Sequence, residues 1–211
     1  MDKNKLSKAI TDALAQGKGK CKFVQSVEIA VNFRDVDFTK PENRLNLDVA
    51  LPYSPREVKV ALFADGQLGL DGRGVVDKII QGTEIELYVK DKKLQKELLE
   101  YSLLASTLLM PVIGKTLGQI LGARGKLPKP VLPNANLRDL VDRTKRSISV
   151  KTKGKYLPTV HALVGKENMP LEQLLENIQT VMESIGKTIP DHQIKSVYIK
   201  TTMGVPVKMT I

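Results

Sequence analysis

The apolar residues of this chain change their spacing twice, and that double change limits the folds open to it. Val27, Ile29, Val31 and Phe33 alternate with polar or small neighbours, and Leu45, Leu47, Val49 and Leu51 repeat the pattern. Period-two alternation marks a strand with one face buried, as in an antiparallel sheet. Pro52-Tyr53-Ser54-Pro55 breaks it. Residues 58–64 are apolar except for Lys59, as a strand buried on both faces would be, and helical and strand-like runs then trade places up to Arg146. That is the grammar of a parallel sheet covered by helices. From Ser147 the alternation returns, at Ile148 and Val150 and again at Val160, Ala162 and Val164. One unit therefore interrupts another, and the chain crosses between them twice. Such a double hinge permits domain rotation.

The remaining segments fill in this outline. Leu6, Ile10, Ala13 and Leu14 put one apolar face on a helix over 3–16, which Gly17 ends; Lys18, Lys20 and Lys22 follow. A polar loop with Pro41 and Asn43 joins the first two strands. In the middle of the chain, a turn containing Gly66, Gly69, Gly72 and Gly74 is expected to open a helix through Val75, Val76, Ile79 and Ile80. A strand over 85–89 and a longer helix over 93–109 come next. A Gly-, Pro- and Lys-rich loop over 114–133 carries a helical turn at 116–121, and a helix over 137–146 closes the unit. A Lys-rich turn separates the strands after Ser147. The clearest helix, over 170–185, has Pro170 at its start and a stripe of Leu171, Leu174, Leu175, Ile178, Val181, Met182 and Ile185, with Gly186 as its cap. Strands over 194–202 and 205–211 end the sequence. The expected fold class is α/β overall with two domains. Residues 1–56 and 147–211 form a discontinuous α+β domain of split type, and 57–146 an inserted, Rossmann-like, three-layer α/β domain.

Composition narrows the function. Lys+Arg 33 against Asp+Glu 23 gives a net charge of +10, which favours an anionic partner because phosphate neutralisation dominates nucleic-acid affinity. Cys21 is the only cysteine, so no disulfide forms within the chain, and with His161 and His192 it makes no convincing zinc set. The polar start, Met1-Asp2-Lys3-Asn4-Lys5, predicts no leader peptide. The apolar stretch 103–113 contains serine and threonine and is too short for a membrane span. A reducing, cytoplasmic setting is expected, with no membrane partner. Trp is absent and Phe numbers only 4, which argues against an aromatic base-stacking platform.

Enzymatic readings fail on spacing. Gly114-Lys115-Thr116 resembles the end of a phosphate-binding loop, but Leu109 stands where the first glycine is required. Gly125-Lys126 has Ile120 there, and Leu127 in place of the magnesium-binding hydroxyl. The glycines at 66, 69, 72 and 74 lack dinucleotide spacing. Asp65 and Asp71 read as turn or cap residues, His161 as a strand histidine and His192 as a turn residue. Cys21 has only lysines to recommend it. No enzyme and no cofactor are expected. Two basic features suit an anion instead. The loop 122–130 offers Arg124, Lys126 and Lys129 as phosphate contacts among glycines and prolines. At the end of the chain, Gly204 beside Thr201 and Thr202 leaves backbone that a ribose–phosphate chain can approach.

The order of short segments adds a resemblance over essentially the whole chain. Its carriers are Lys22-Phe23 before the strand Ser26–Phe33, then Leu109-Met110-Pro111 with Gly114-Lys115 and Leu117-Gly118. The run Leu121-Gly122-Ala123-Arg124-Gly125-Lys126-Leu127-Pro128-Lys129-Pro130 follows, then Val164-Gly165-Lys166, and finally Ser196-Val197-Tyr198 leading into Thr202-Met203-Gly204. In this order the set resembles the ribosomal protein L-one family, the first protein of the large ribosomal subunit, in its archaeal-type form. The resemblance implies two domains, the second inserted in the first. It implies that the domain built from both termini binds large-subunit rRNA at the base of a mobile side stalk. That stalk assists release of deacylated tRNA from the exit site, so exit-site tRNA would be met transiently. Repression of translation through a similar structure in the protein's own mRNA, and a monomeric state off the ribosome, are implied as well. The family's RNA surface falls here on Lys22, Phe23, Glu28, Lys166, Ser196, Thr202, Met203 and Gly204. Hydroxyls at Ser196 and Thr202 suit ribose 2′-OH groups, and Glu28 suits a base amino group or a 2′-OH as an acceptor. Gln119, Ala123 and Val205-Pro206 depart from the family's usual residues. The rival readings are a ribosome-biogenesis protein of the same fold, and an α/β enzyme with a small-molecule site at the strand C-termini of the inserted domain.

Overall fold

A computed structural model describes residues 3–19, 21–133, 135–152 and 157–209. Lys20, most of the Lys-rich turn (Lys153, Gly154 and Lys155) and Ile211 of the last predicted strand lie outside the described residues. The first elements are α1 (Lys3–Gly17), β1 (Ser26–Phe33) and β2 (Asn46–Ala50). The middle of the chain gives β3 (Val60–Phe63), α2 (Gly66–Asp71), β4 (Lys78–Ile80), α3 (Ile85–Lys90) and α4 (Lys92–Leu98). It continues with β5 (Ser102–Ser106), α5 (Met110–Thr116), α6 (Gly118–Ala123), β6 (Lys129–Val131) and α7 (Leu137–Arg146). The last are β7 (Ser147–Lys151), β8 (Thr159–Lys166), α8 (Leu171–Gly186), β9 (Ile194–Thr201) and β10 (Val207–Met209). The fold is mixed α/β. It divides into two compact units, one from both chain ends (to Arg56 and from Arg146) and one spanning Glu57–Lys145.

The first unit is built on an antiparallel sheet of order β10-β9-β1-β8, with β2 and β7 paired separately. β1 is an inner strand: Ile29 lies opposite Ile199 of β9 and Ala162 of β8, and Val31 opposite Val197 and Val160. These residues face inward and join one core with Leu6, Ala9, Ile10 and Ala13 of α1 and Leu174, Ile178, Val181 and Ile185 of α8. Burying each such aliphatic side chain contributes about 1.5–3 kcal/mol. The other β1 positions, Glu28, Ala30 and Asn32, are only half-buried, as are Leu163, Tyr198 and Lys200 on the flanking strands. The sheet thus has a covered face and a polar, accessible one.

One buried polar residue interrupts the α8 stripe. The Asn177 side chain donates to the carbonyls of Tyr53 (3.0 Å) and Val164 (2.8 Å) and accepts from the Tyr53 N–H (3.1 Å). It thereby satisfies the backbone of the Pro52-Tyr53-Ser54-Pro55 segment, where no strand partner does so.

The second unit has a parallel sheet of order β4-β3-β5-β6. Val60, Leu62 and Ala64 point into one core with Leu137 and Val141, while Ala61 and Phe63 point into another with Ile85, Tyr88, Ile113 and Leu121. Several elements differ from the sequence expectation. The glycine-rich segment forms the short helix α2 itself; residues 78–80 of the helix expected after it are strand β4, with Ile80 opposite Phe63. Residues 85–89, expected as a strand, are helix α3. The apparent alternation of Ile85, Leu87 and Val89 misled because the buried pair is Ile85 and Tyr88, at helical spacing, while Leu87 and Val89 are exposed. The long helix expected over 93–109 ends at Leu98, and Ser102–Ser106 is strand β5, inserted between β3 and β6. No glycine or proline marks that break. The expected turn at 116–121 is the helix pair α5 and α6, and the basic loop contains strand β6.

Lys78 of β4 forms an ion pair within this unit. Its Nζ lies 2.7 Å from Glu97 Oε1 and over the Tyr88 ring at 5.5 Å. The hydrogen bond to Glu97 raises the lysine pKa, opposed by desolvation. A raised lysine pKa gives stability that is complete below the unfolded value and is lost as pH rises through the folded one. The pair is partly exposed, so its worth is under about 1 kcal/mol.

These contacts generate two stability predictions. Asn177→Ala, which removes three hydrogen bonds to backbone groups, is expected to cost about 3 kcal/mol, read as a lower urea midpoint with unchanged slope. For Lys78→Met, the small deficit against the parent at neutral pH should close at strongly alkaline pH, when the parent lysine has also lost its charge. A gap that is constant across pH would remove the ion pair as its cause.

Candidate nucleic-acid interface

At one end of the first sheet, three distant segments meet. Ser26 lies opposite Lys166, and Val27 lies opposite both Thr201 and Gly165. Beyond Thr201 the ladder continues in altered form. Thr202 N–H donates to Ser26 O (3.1 Å), and Ser26 N–H donates to Thr202 Oγ1 rather than to a backbone carbonyl (3.1 Å). Gly204 N–H turns back to Thr201 O at 3.1 Å. Met203 N–H donates to the side-chain oxygen of Gln25 at 2.9 Å.

Gln25 is 1% exposed and holds this corner together. Its Nε2 donates to Gly17 O, at the end of α1 (2.6 Å), and to Glu167 Oε2, just past β8 (3.2 Å). Its backbone N–H donates to Glu167 Oε1 (3.0 Å), and its carbonyl accepts from Glu167 N–H (2.9 Å). Sequence reading passed over Gln25 and Glu167. A signal was present, because Gln25 stands one step ahead of Val27, Ile29 and Val31, at a position the alternation reserves for the core.

Around this knot the outer surface is apolar and basic. Phe23 is 54% exposed and Met203 57%, with Val24 and Val205 exposed beside them in sequence. Lys18 and Lys22 are exposed and Lys166 half-buried. The structure therefore brings together Lys22, Phe23, Lys166, Thr202, Met203 and Gly204. Glu28 is close by on the accessible face, opposite Lys200 in register, which places a cation across from its carboxylate. Ser196 is elsewhere. It shares the face parity of Thr202 but sits at the far end of β9, roughly 20 Å away along the strand. There its hydroxyl accepts from Asn32 Nδ2 (3.0 Å), and Asn32 Oδ1 accepts from Thr159 (2.8 Å). Arg124, Lys126 and Lys129 belong to the second unit. Arg124 is exposed after α6, whereas the Lys126 ammonium donates to the carbonyls of Leu99 and Tyr101, and Lys129 lies in β6.

The geometry restricts the chemistry available. The N–H groups of Thr202, Met203 and Gly204 all point into the protein's own bonds, so they form no cradle for a phosphate. Gly204 serves the interior instead, since a Cβ there would overlap the Thr201 hydroxyl, as would one on Gly17. Thr201 is fully buried, and its Oγ1 has no hydrogen-bond partner. What remains for a ligand is apolar surface from Phe23 and Met203, lysine charge and acceptor oxygens. Among the described residues no cluster of His, Cys, Asp or Glu has a metal-holding arrangement, and no helix is long and apolar enough to cross a membrane.

Fold and site together define a mixed α/β protein whose notable surface is a lysine-rimmed sheet end rather than a catalytic cleft. Residues 11–205 match the ribosomal protein L1p/L10e family. The chain is 40% identical to large ribosomal subunit protein uL1 of Archaeoglobus fulgidus, covering 99% of each. It is 41% identical to the Thermofilum pendens protein of the same name, over 97% of this chain and 92% of that one. With the Pyrococcus abyssi protein, also of that name, it shares 40% identity over 99% and 96%. The chain belongs to the ribosomal protein L1 family, whose members are structural rather than enzymatic.

Because Gly17 and Gly204 flank one hydroxyl, Gly204→Ala is expected to cost about 1–3 kcal/mol. The cost should fall in a Thr201→Ala background, where the overlapping atom is gone. Urea midpoints of the four proteins in that cycle test it, and equal costs in both backgrounds would exclude the overlap as the cause.

Proposed function

We propose that the chain is a constituent of the large ribosomal subunit that binds rRNA through the unit formed by its two termini. In this reading residues 1–56 and 147–211 are the RNA-binding domain and 57–146 an inserted domain. The target is a folded rRNA site at the base of a mobile side stalk near the tRNA exit, and exit-site tRNA is met transiently. The protein works in the cytoplasm on the ribosome, is a monomer when free, and represses its own translation by binding a similar mRNA structure. No cofactor enters.

The observation that carries the reading is the hydrogen-bond knot around Gln25, which holds the backbone of exposed Met203 while Phe23 stands exposed two residues before Gln25 in the chain. Exposed Phe23, Val24, Met203 and Val205 gather apolar surface at this corner, and grouped apolar surface rimmed by polar residues marks an interaction site. Rigid support lowers the ordering cost of binding. The neighbouring lysines supply the phosphate attraction that the inward-turned N–H groups do not. The relatives named as large-subunit ribosomal proteins match nearly full length, which supports carrying the role over to this chain.

The test is a salt-titrated binding assay against a stalk rRNA fragment, with a scrambled duplex of equal length as control. Tighter binding to the fragment that survives moderate salt is expected. Phe23→Ala should weaken it by about tenfold while thermal unfolding stays unchanged, because this ring is largely outside the core. Equal binding to both RNAs, erased by salt, would leave only nonspecific charge and overturn the reading.

A further inference from the structure

We propose that Gln25 is a positioning residue for the RNA surface, setting the placement of Met203 without touching the ligand itself. This rests on the RNA-binding reading above. Gln25 is 1% exposed, so a ligand on the outer surface does not reach it. Yet it lies two positions after Phe23 in the chain and bonds directly to the backbone of Met203.

Among the described residues, nothing else in this corner fixes Met203 as directly. Thr202 and Gly204 on either side are held by backbone carbonyls of Ser26 and Thr201, whereas the Met203 N–H depends on a side chain. An amide suits this role because it has both a donor and an acceptor end. Its oxygen takes the Met203 N–H, and its NH₂ group divides between Gly17 O and Glu167 Oε2. Glu167 in turn grips the Gln25 backbone from 142 residues away in sequence. Rotating the side chain to release Met203 would strand a buried NH₂ group, so the arrangement locks itself.

The experiment uses the full chain and the stalk rRNA fragment, with Gln25→Met as the main variant because it keeps the length of the side chain but not its hydrogen bonds. In free protein, hydrogen exchange at the Met203 amide should speed up by about tenfold or more. RNA affinity should fall by about tenfold, and the fall should shrink to about twofold in a Met203→Ala background, since positioning matters only for a side chain that is present. A purely structural role would lower affinity equally in both backgrounds, and that result overturns the proposal, as does unchanged affinity in Gln25→Met. If Gln25→Met does not fold, the parent decides: a Met203 amide exchanging at the rate of an unprotected loop refutes the clasp, and slow exchange supports it. If the parent fails to prefer the stalk fragment over the scrambled duplex, the RNA reading itself falls and the positioning role with it. Normal Met203 protection would then show that the clasp geometry was not at fault.

Discussion

The pairing of β1 with β9 joins residues from opposite ends of the chain, and the first unit depends on it. Thr202 and Ser26, 176 positions apart, still exchange hydrogen bonds where the ladder ends. Because β1 is paired on both sides, it cannot leave the sheet without opening the core beneath Ile29, Val31, Val197 and Ile199. Closing so long a loop has an entropic cost that grows only slowly with length, so a whole α/β unit can occupy the interval. The same arrangement couples the site to the fold. The corner where Gln25, Glu167 and Met203 meet is the end of this long-range ladder, so it exists only once the chain termini have found each other.

How much of this was legible depended on whether one face or two were buried. In the first unit the strands lie between a core and an accessible face, and that contrast writes a period of two into the sequence; β1, β2, β7 and β8 were readable from it, and helix α8 from its own apolar stripe at helical spacing. The second unit has cores on both sides of its sheet, so its strands carry no contrast. Leu103, Leu104 and Ala105 are as apolar as a buried helix would be, and nothing in 93–109 marks where helix stops and strand begins. In 85–89 the chance spacing of Ile85, Leu87 and Val89 imitated a strand, although Leu87 and Val89 turned out to be on the exposed side of a helix.

The site divided along a different line. Its exposed members, Phe23, Thr202 and Met203, came into view through the order of short motifs, and the structure bonds the residues that follow Phe23, Gln25 and Ser26, to Met203 and Thr202. Its supports did not, because each is a polar residue hidden at a position the pattern assigns to the core. Gln25 precedes Val27 and Ile29, Thr201 follows Val197 and Ile199, and, away from the site, Asn177 sits in the same way between Leu174 and Ile178. In an alternating or helical apolar stripe, a polar residue at an inward position signals a backbone group that lacks a regular partner. For Gln25 and Asn177 that group is now identified. Thr201 is the exception, as its hydroxyl is buried without a partner between two glycines.

These supports also decide what kind of recognition the surface can offer. A loop ending in small residues and glycine is commonly expected to present N–H groups to phosphate. Here the N–H groups of residues 202–204 are all turned inward, so attraction to phosphate falls to lysine side chains, which are flexible and indifferent to sequence. In the proposed role, discrimination would then come from the part held by Gln25 and Ser26: the thioether of Met203 and the Thr202 hydroxyl, with the exposed Phe23 ring nearby in sequence. Such groups read shape, sugar and base edges rather than charge. In the proposed RNA-binding role a net charge of +10 would draw any nucleic acid to the protein, and the fixed corner at the end of β1 and β9 would tell one RNA from another.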